Sequence, residues 1–222
     1  SRCDEGVDGR GDLDLLIVAN STDGDITVRG EDRGSIEVTI DRFDVADQKR
    51  NRAWLDVNLE DGLVKLKVFD KLEKSNIDIV VPRSVSLRIR AVDGDVRVDA
   101  ISGEIEVTAV DGEVVLREVS GGIAANSVDG NVRVELTDQP LVNPVSLATV
   151  DGNVTLVTSE DTNAEFSVSS IDGTFDCDLA YRVQKSGGRW VGGINLSGTI
   201  GEGGPPISMK TIDGDVKIKV RD

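Results

Sequence analysis

Three carboxylates at a fixed interval are the first residues in this chain whose placement could carry chemistry. Asp93, Asp111 and Asp129 lie 18 residues apart, and each is followed by glycine. Stacked at the spacing of neighbouring strands, about 4.8 Å, they would repel one another by about 1 kcal/mol in water. Such a ladder could recruit divalent cations weakly. Nine-residue Asp/Gly repeats are also the signature of calcium-binding β-rolls. The residue order differs here, however. Most repeats carry one glycine, and the aspartate precedes it, where a turn backbone can satisfy the carboxylate. The turn role therefore outweighs the metal role, and no cofactor is expected. A second pair, Asp176 and Asp178, points the same way along one strand. Glycosidase carboxylates act in pairs across roughly 5–9.5 Å. Alternation puts charges outward on every strand, though, and no nucleophile, base and orienting group converge. Enzyme activity is not expected.

The rest of the composition narrows the chemistry further. There is no histidine among the 222 residues, which removes the commonest general base and metal ligand together. The two cysteines, Cys3 and Cys177, have no CxxC spacing and cannot form a zinc site alone. Their pairing is left open, and Cys177 reads more readily as a small buried apolar residue. A net charge of −16 argues against a nucleic-acid partner and repels anionic membranes. No apolar run approaches the roughly 20 residues of a membrane span. Aromatics make up 3%, so small and β-branched side chains must build the core.

The elements that position these residues form a repeat. A small residue, a β-branched residue, Asp-Gly, any residue and a bulky apolar residue recur seven times, from "STDGDI" to "TIDGDV". The Asp-Gly pairs are Asp23-Gly24, Asp93-Gly94, Asp111-Gly112, Asp129-Gly130, Asp151-Gly152, Asp172-Gly173 and Asp213-Gly214. Period-two alternation on both sides predicts strand, turn, strand, since glycine accepts a positive φ at the turn. A meander of hairpins would use Asp-Gly as a two-residue turn; a β-solenoid would use it as a corner. Between Gly94 and Gly130 the residue before glycine alternates Asp and Ser, so an 18-residue coil of two strands has Asp-Gly on one edge and Ser-Gly on the other. Later insertions, "TDQPLVNP" and "TSEDTNA", both fall opposite Asp-Gly. One edge held constant favours the solenoid, right-handed if it follows parallel crossovers.

The expected fold is thus an all-β solenoid in one domain, residues 1–222. Residues 1–83 give less regular strands, 84–180 the regular coils, and 181–222 a glycine loop or hairpin followed by a capping strand. The polar link "DRFDVADQKRNR" reads as a loop or a short helix. Two adjacent columns are expected to point inward at each corner: Ser21, Ala91, Ala109, Ser127, Thr149, Ser170 and Thr211, then Thr22, Val92, Val110, Val128, Val150, Ile171 and Ile212.

The outward side of the strands before Asp-Gly is unusually small at Gly122, Ala124, Ser146, Ala148, Ser167 and Ser169. This is the candidate interaction face, for a protein or a glycan, with cover by the chain's own N-terminal strands as the competing use. Solenoid ends could instead stack into filaments, which makes a self-assembling scaffold the alternative function.

"LLIVANSTDGDITVRGEDRGSIEVTI", "IDIVVPRSVSLRIRAVDGDVRV" and "GTIGEGGPPISMKTIDGDVKIKV" together resemble the bacterial putative-adhesin family, a domain family of unknown function. The resemblance spans nearly the whole chain. It implies a β-solenoid outside the cytoplasmic membrane (periplasmic, cell-surface or secreted), often attached to a signal or anchor that this sequence does not itself display. It brings no catalytic residues to carry over. The expectation is a non-enzymatic adhesion or interaction module of the cell envelope.

Overall fold

The computed structural model describes residues 15–42, 54–60, 63–69, 75–186 and 193–221. The first strands are β1 Leu15–Asp23, β2 Ile26–Glu31, β3 Glu37–Arg42, β4 Trp54–Glu60, β5 Leu63–Phe69 and β6 Ser75–Pro82. The middle of the chain adds β7 Ser86–Asp93, β8 Val96–Asp99, β9 Ile105–Asp111, β10 Val114–Val119, β11 Ile123–Asn126, β12 Val132–Leu136, β13 Val145–Ala148 and β14 Val154–Thr158. The last are β15 Ala164–Ser170, β16 Phe175–Cys177, β17 Tyr181–Ser186, β18 Ile194–Ile200, β19 Pro206–Lys210 and β20 Val216–Val220. Among the described residues there is no helix. Cys3 and most of the "DRFDVADQKRNR" link lie outside them.

The strands make two facing sheets. The eleven-strand sheet runs β17-β18-β15-β19-β13-β11-β9-β7-β1-β5-β4, and the nine-strand sheet runs β16-β20-β14-β12-β10-β8-β2-β6-β3. Pairing is parallel except at the ends, where β3 meets β6, β4 meets β5, and β17 and β18 extend β15. From β5 to β16 consecutive strands alternate between the sheets; from β7 on, each Asp-Gly turn carries the chain from the eleven-strand to the nine-strand sheet, and the turns on the opposite edge carry it back.

The order of the layers is not the order of the chain. β1 and β2 sit between the β5–β6 layer and the β7–β8 layer. At the other end β19 and β20 slide between β13–β14 and β15–β16. The final strand is therefore an internal one rather than the expected cap. Closure of the eleven-strand sheet at that end falls to the antiparallel β17 and β18, and "GEGGPP" turns on the variable edge, where the Glu202 amide donates to Asn163 Oδ1 at 2.7 Å.

The core is a set of stacked columns. Ala19, Ile89, Val107, Ala125, Leu147, Met209 and Val168 occupy one inward column of the eleven-strand sheet, all nearly fully buried. Val28, Val98, Leu116, Val134, Leu156 and Ile218 face them from the nine-strand sheet. Each fully buried Val, Leu or Ile contributes about 1.5–3 kcal/mol relative to exposure, so the regular columns hold the two sheets together.

The small column is inward, with exposures from 1% at Ala109 to 5% at Ser127 and Thr149. The β-branched column is not. Val92, Val110, Val128, Val150, Ile212 and Ile171 expose 49, 40, 47, 37, 47 and 64% of their surface, and Thr22 is exposed as well. The reason is the pleat: successive side chains alternate faces, and the alternation runs on to the corner. Ala109 points in, so Val110 must point out.

Candidate interaction site

The Asp-Gly edge is a continuous structure across seven layers. Its aspartates pair in the order Asp23, Asp93, Asp111, Asp129, Asp151, Asp213 and Asp172. Every corner glycine but Gly173, in the last layer, donates its amide to the aspartate carbonyl of the next layer, as from Gly112 to Asp129 at 3.0 Å and from Gly130 to Asp151 at 2.9 Å. At Gly130 φ is 144°, and a Cβ there would lie 2.1 Å from the Gly112 carbonyl oxygen. Only glycine fits both the conformation and the approach.

Two further side-chain ladders lock this edge. From inside, the hydroxyls of Thr149 and Thr211 donate to the carbonyls of Gly130 and Gly152 at 2.9 and 3.0 Å, and Ser170 does the same to Gly214 at 3.2 Å. From the nine-strand side, the residue after glycine caps its neighbour. Asp25 Oδ1 accepts from the Asp95 amide at 2.9 Å, Asp95 Oδ1 from Glu113, Asn131 Oδ1 from Asn153, Asn153 Oδ1 from Asp215, and Asp215 Oδ1 from Thr174. Sequence reasoning left this position as any residue. The signal was there: Asp or Asn occupies it in five copies, at residues 25, 95, 131, 153 and 215. Two hydrogen bonds from Thr174, the closer from its hydroxyl at 2.7 Å, hold the Asp215 carboxyl below the usual carboxylate range, with Lys217 adding to them.

The corner carboxylates themselves point away from these ladders. Asp93, Asp111, Asp129, Asp151, Asp172 and Asp213 are exposed, and beside them runs the outward valine and isoleucine column. Among the described residues, no three His, Cys, Asp or Glu side chains are placed to hold a metal ion. Asp176 and Asp178 are exposed at the open edge of the nine-strand sheet, where Asp178 Oδ2 accepts from the Val220 amide at 3.3 Å. Cys177 lies between them with its side chain half-buried against the core. Burial pushes its thiol above the ordinary range, and Asp178 and Asp176 push the same way against the Leu179 carbonyl that accepts from Sγ. A thiol kept neutral is a poor nucleophile.

The small-residue face maps onto the outside of the eleven-strand sheet. Glu106, Ala124, Ser146, Ser208, Ser167 and Ser197 succeed one another across it, one per strand. Ser208 and Ser197 were missed from sequence because their strands enter this sheet out of chain order. A shallow cavity of about 350 Å³ opens here, with Gly122, Ala124 and Ser146 in its lining and the Arg88–Glu106 ion pair, 2.7 Å, at its wall. Ala148 and Ser169 are in the next row, where Lys210 stands between them. The expected face is thus brought together, but it is divided by one lysine. No described strand covers it.

The family profile described as Toastrack DUF4097 matches residues 17–219. Among solved structures, the chain is similar to a "putative cell adhesion protein" from Clostridium sporogenes ATCC 15579. Identity is 9% and the TM-score 0.58, over 100% of this chain and 99% of the other. It is also similar to a "putative adhesin" from Bacteroides fragilis NCTC 9343, at 12% identity and a TM-score of 0.42, over 100% and 97% of the two chains. No match is found among curated proteins. Among the described residues no helix is long and apolar enough to cross a membrane.

Proposed function

This chain belongs to the Toastrack family, and from that premise we propose that it is a non-enzymatic interaction or adhesion module working outside the cytoplasmic membrane. On this reading residues 1–222 form one right-handed β-solenoid domain with two strands per turn, the hand that parallel crossovers favour. The observation that carries the function is the open row from Ala124 to Ser197, flat because its side chains are Ala and Ser. A rigid, shallow, uncharged strip suits a protein or glycan surface better than a small molecule, which binds in enclosed pockets. The Clostridium fold relative, with its cell-adhesion name, supports the reading by analogy. The scaffold alternative has less support: antiparallel strands terminate both sheets at the β3–β4 end and the eleven-strand sheet at the other, a device that blunts edge-to-edge growth, and only the short β16 leaves a parallel edge open.

The test uses outward substitutions that leave the core untouched. Ala124→Arg with Ser146→Arg and Ser167→Arg should abolish attachment of the purified chain to the bacterial surface or glycan array that the wild type recognises. Monodisperse particles in electron micrographs and no polysaccharide cleavage are the accompanying expectations. Retained attachment by the triple variant would remove the face from the proposal; filaments would turn it toward the scaffold.

A further inference from the structure

The outward column of Val92, Val110, Val128, Val150, Ile212 and Ile171 belongs to no part of the reading above. These six β-branched side chains, 37–64% exposed, stand one per layer beside the corner. Contiguous exposed apolar surface of this kind marks interaction sites more than scattered residues do. The column has an asymmetric border. On the corner side runs the ladder of aspartate carboxylates, none of which takes part in a hydrogen bond or ion pair among the described residues; beyond the glycines lie Asp25, Asp95, Glu113 and Asp215. On the sheet side the cations are Arg90 and Lys210, two residues before Val92 and Ile212.

We propose that this ridge docks a cationic amphipathic helix lying along the stack axis. Three arguments fix the occupant. First, charge: a second copy would set one aspartate ladder against another in a chain of net charge −16, and an anionic membrane would be repelled likewise. Second, backbone: the corner amides already donate from layer to layer, so an added strand finds no partners, whereas a helix satisfies its own. Third, spacing: layers repeat at about 4.8 Å and helix turns at about 5.4 Å, so one aliphatic side chain per turn follows one valine per layer. Six layers span about 24 Å, the length of a helix of about 16 residues. The helix carries leucine-like residues on the ridge and Lys or Arg on the single flank that meets the aspartates.

The inference deepens the interaction-module reading but is carried by a different surface, so the arginine variants of the small-residue face serve as its control. The probe is an 18-residue synthetic peptide with Leu on one helical stripe and Lys on one adjacent stripe, titrated by fluorescence anisotropy. Saturable one-to-one binding is expected, with helicity rising on the complex. Val110→Thr with Val128→Thr and Val150→Thr, and separately Asp111→Asn with Asp129→Asn and Asp151→Asn, should each weaken it at least tenfold while the face variants leave it unchanged. Peptides with Glu for Lys, or Ser for Leu, should not bind. A photo-crosslinking version should label the corners at 110–112 and 128–130 in the wild-type protein, a readout that survives if a variant fails to fold. Absence of saturable binding, equal binding by the threonine variant, or crosslinks elsewhere would each overturn the proposal.

Discussion

On one edge of the stack, seven layers turn through Asp-Gly with the same backbone hydrogen bonds. On the other, successive layers turn through Ser102-Gly103, Ser120-Gly121, the residues 137–144 and the residues 159–163. The contrast is one of close approach. At the constant edge a glycine carbonyl lies directly against the next glycine, layer after layer, so any residue that lifts one layer disturbs its neighbours. At the variable edge such contacts join Val85, Gly103 and Gly121, with separate ones from Gly30 to Ala100 and from Gly204 to Asn163, but they form no continuous line, and between them the chain is free to loop outward. Long surface insertions cost little because loop-closure entropy rises slowly with length.

Breaking the constant edge should have the largest effect. Gly130→Ala places a methyl 2.1 Å from backbone at a φ of 144°, and strain of this kind costs on the order of 3 kcal/mol. Gly122→Ala on the variable side, where the nearest atom would be Glu104 Cγ at 3.8 Å, should shift stability within about 0.5 kcal/mol. Denaturant melts of the pair decide whether the cost follows the close approach of backbone; equal losses would remove the distinction.

The inner hydroxyl ladder comes next. Thr149→Val keeps the shape but removes the bond to the Gly130 carbonyl, and should cost about 1 kcal/mol, read as a lower midpoint at unchanged m-value. The outer ladder has a pH signature. The Asp215 carboxyl is held below its ordinary value near 3.8, so its stabilisation is fully present above that value and is lost as pH falls through the lower, folded one. Asp215→Asn keeps an acceptor without the charge. Its melting temperature should fall below wild type at pH 6, and the gap should close in acid. The smallest expected change is a gain: Glu113→Asn supplies the short acceptor that could reach Asn131, where no such bond exists among the described residues, and should add about 0.5 kcal/mol.

Much of this edge was legible in the sequence because alternation and Asp-Gly chemistry are local. Ala109, Ser127 and Thr149 were placed inside by period two, and they are inside. Val110 and its equivalents are outside, against expectation, because the same period, followed one residue further, sends them out. The order of layers was not legible. Asp151-Gly152, Asp172-Gly173 and Asp213-Gly214 carry one signature, so any of the three layers could stack on any other, and only the pairing of β20 with both β14 and β16 settles which does. The small face suffered from the same blindness: Ser208 joins it, and Lys210 divides it, from a strand far along the chain.

That interleaving has a consequence in time. The layer formed by residues 164–177 takes its neighbour from residues 206–220, made later, and the layer of residues 15–31 is held between two that are also made later. A chain growing from its N-terminus cannot wind this stack turn upon turn. Its first layer waits for partners, and a gap near the far end stays open until the closing strands arrive. Contacts this distant along the sequence slow folding, and an unfilled parallel edge is prone to wrong pairing meanwhile. The late strands act as a keystone: until they are in place, the stack is two incomplete pieces.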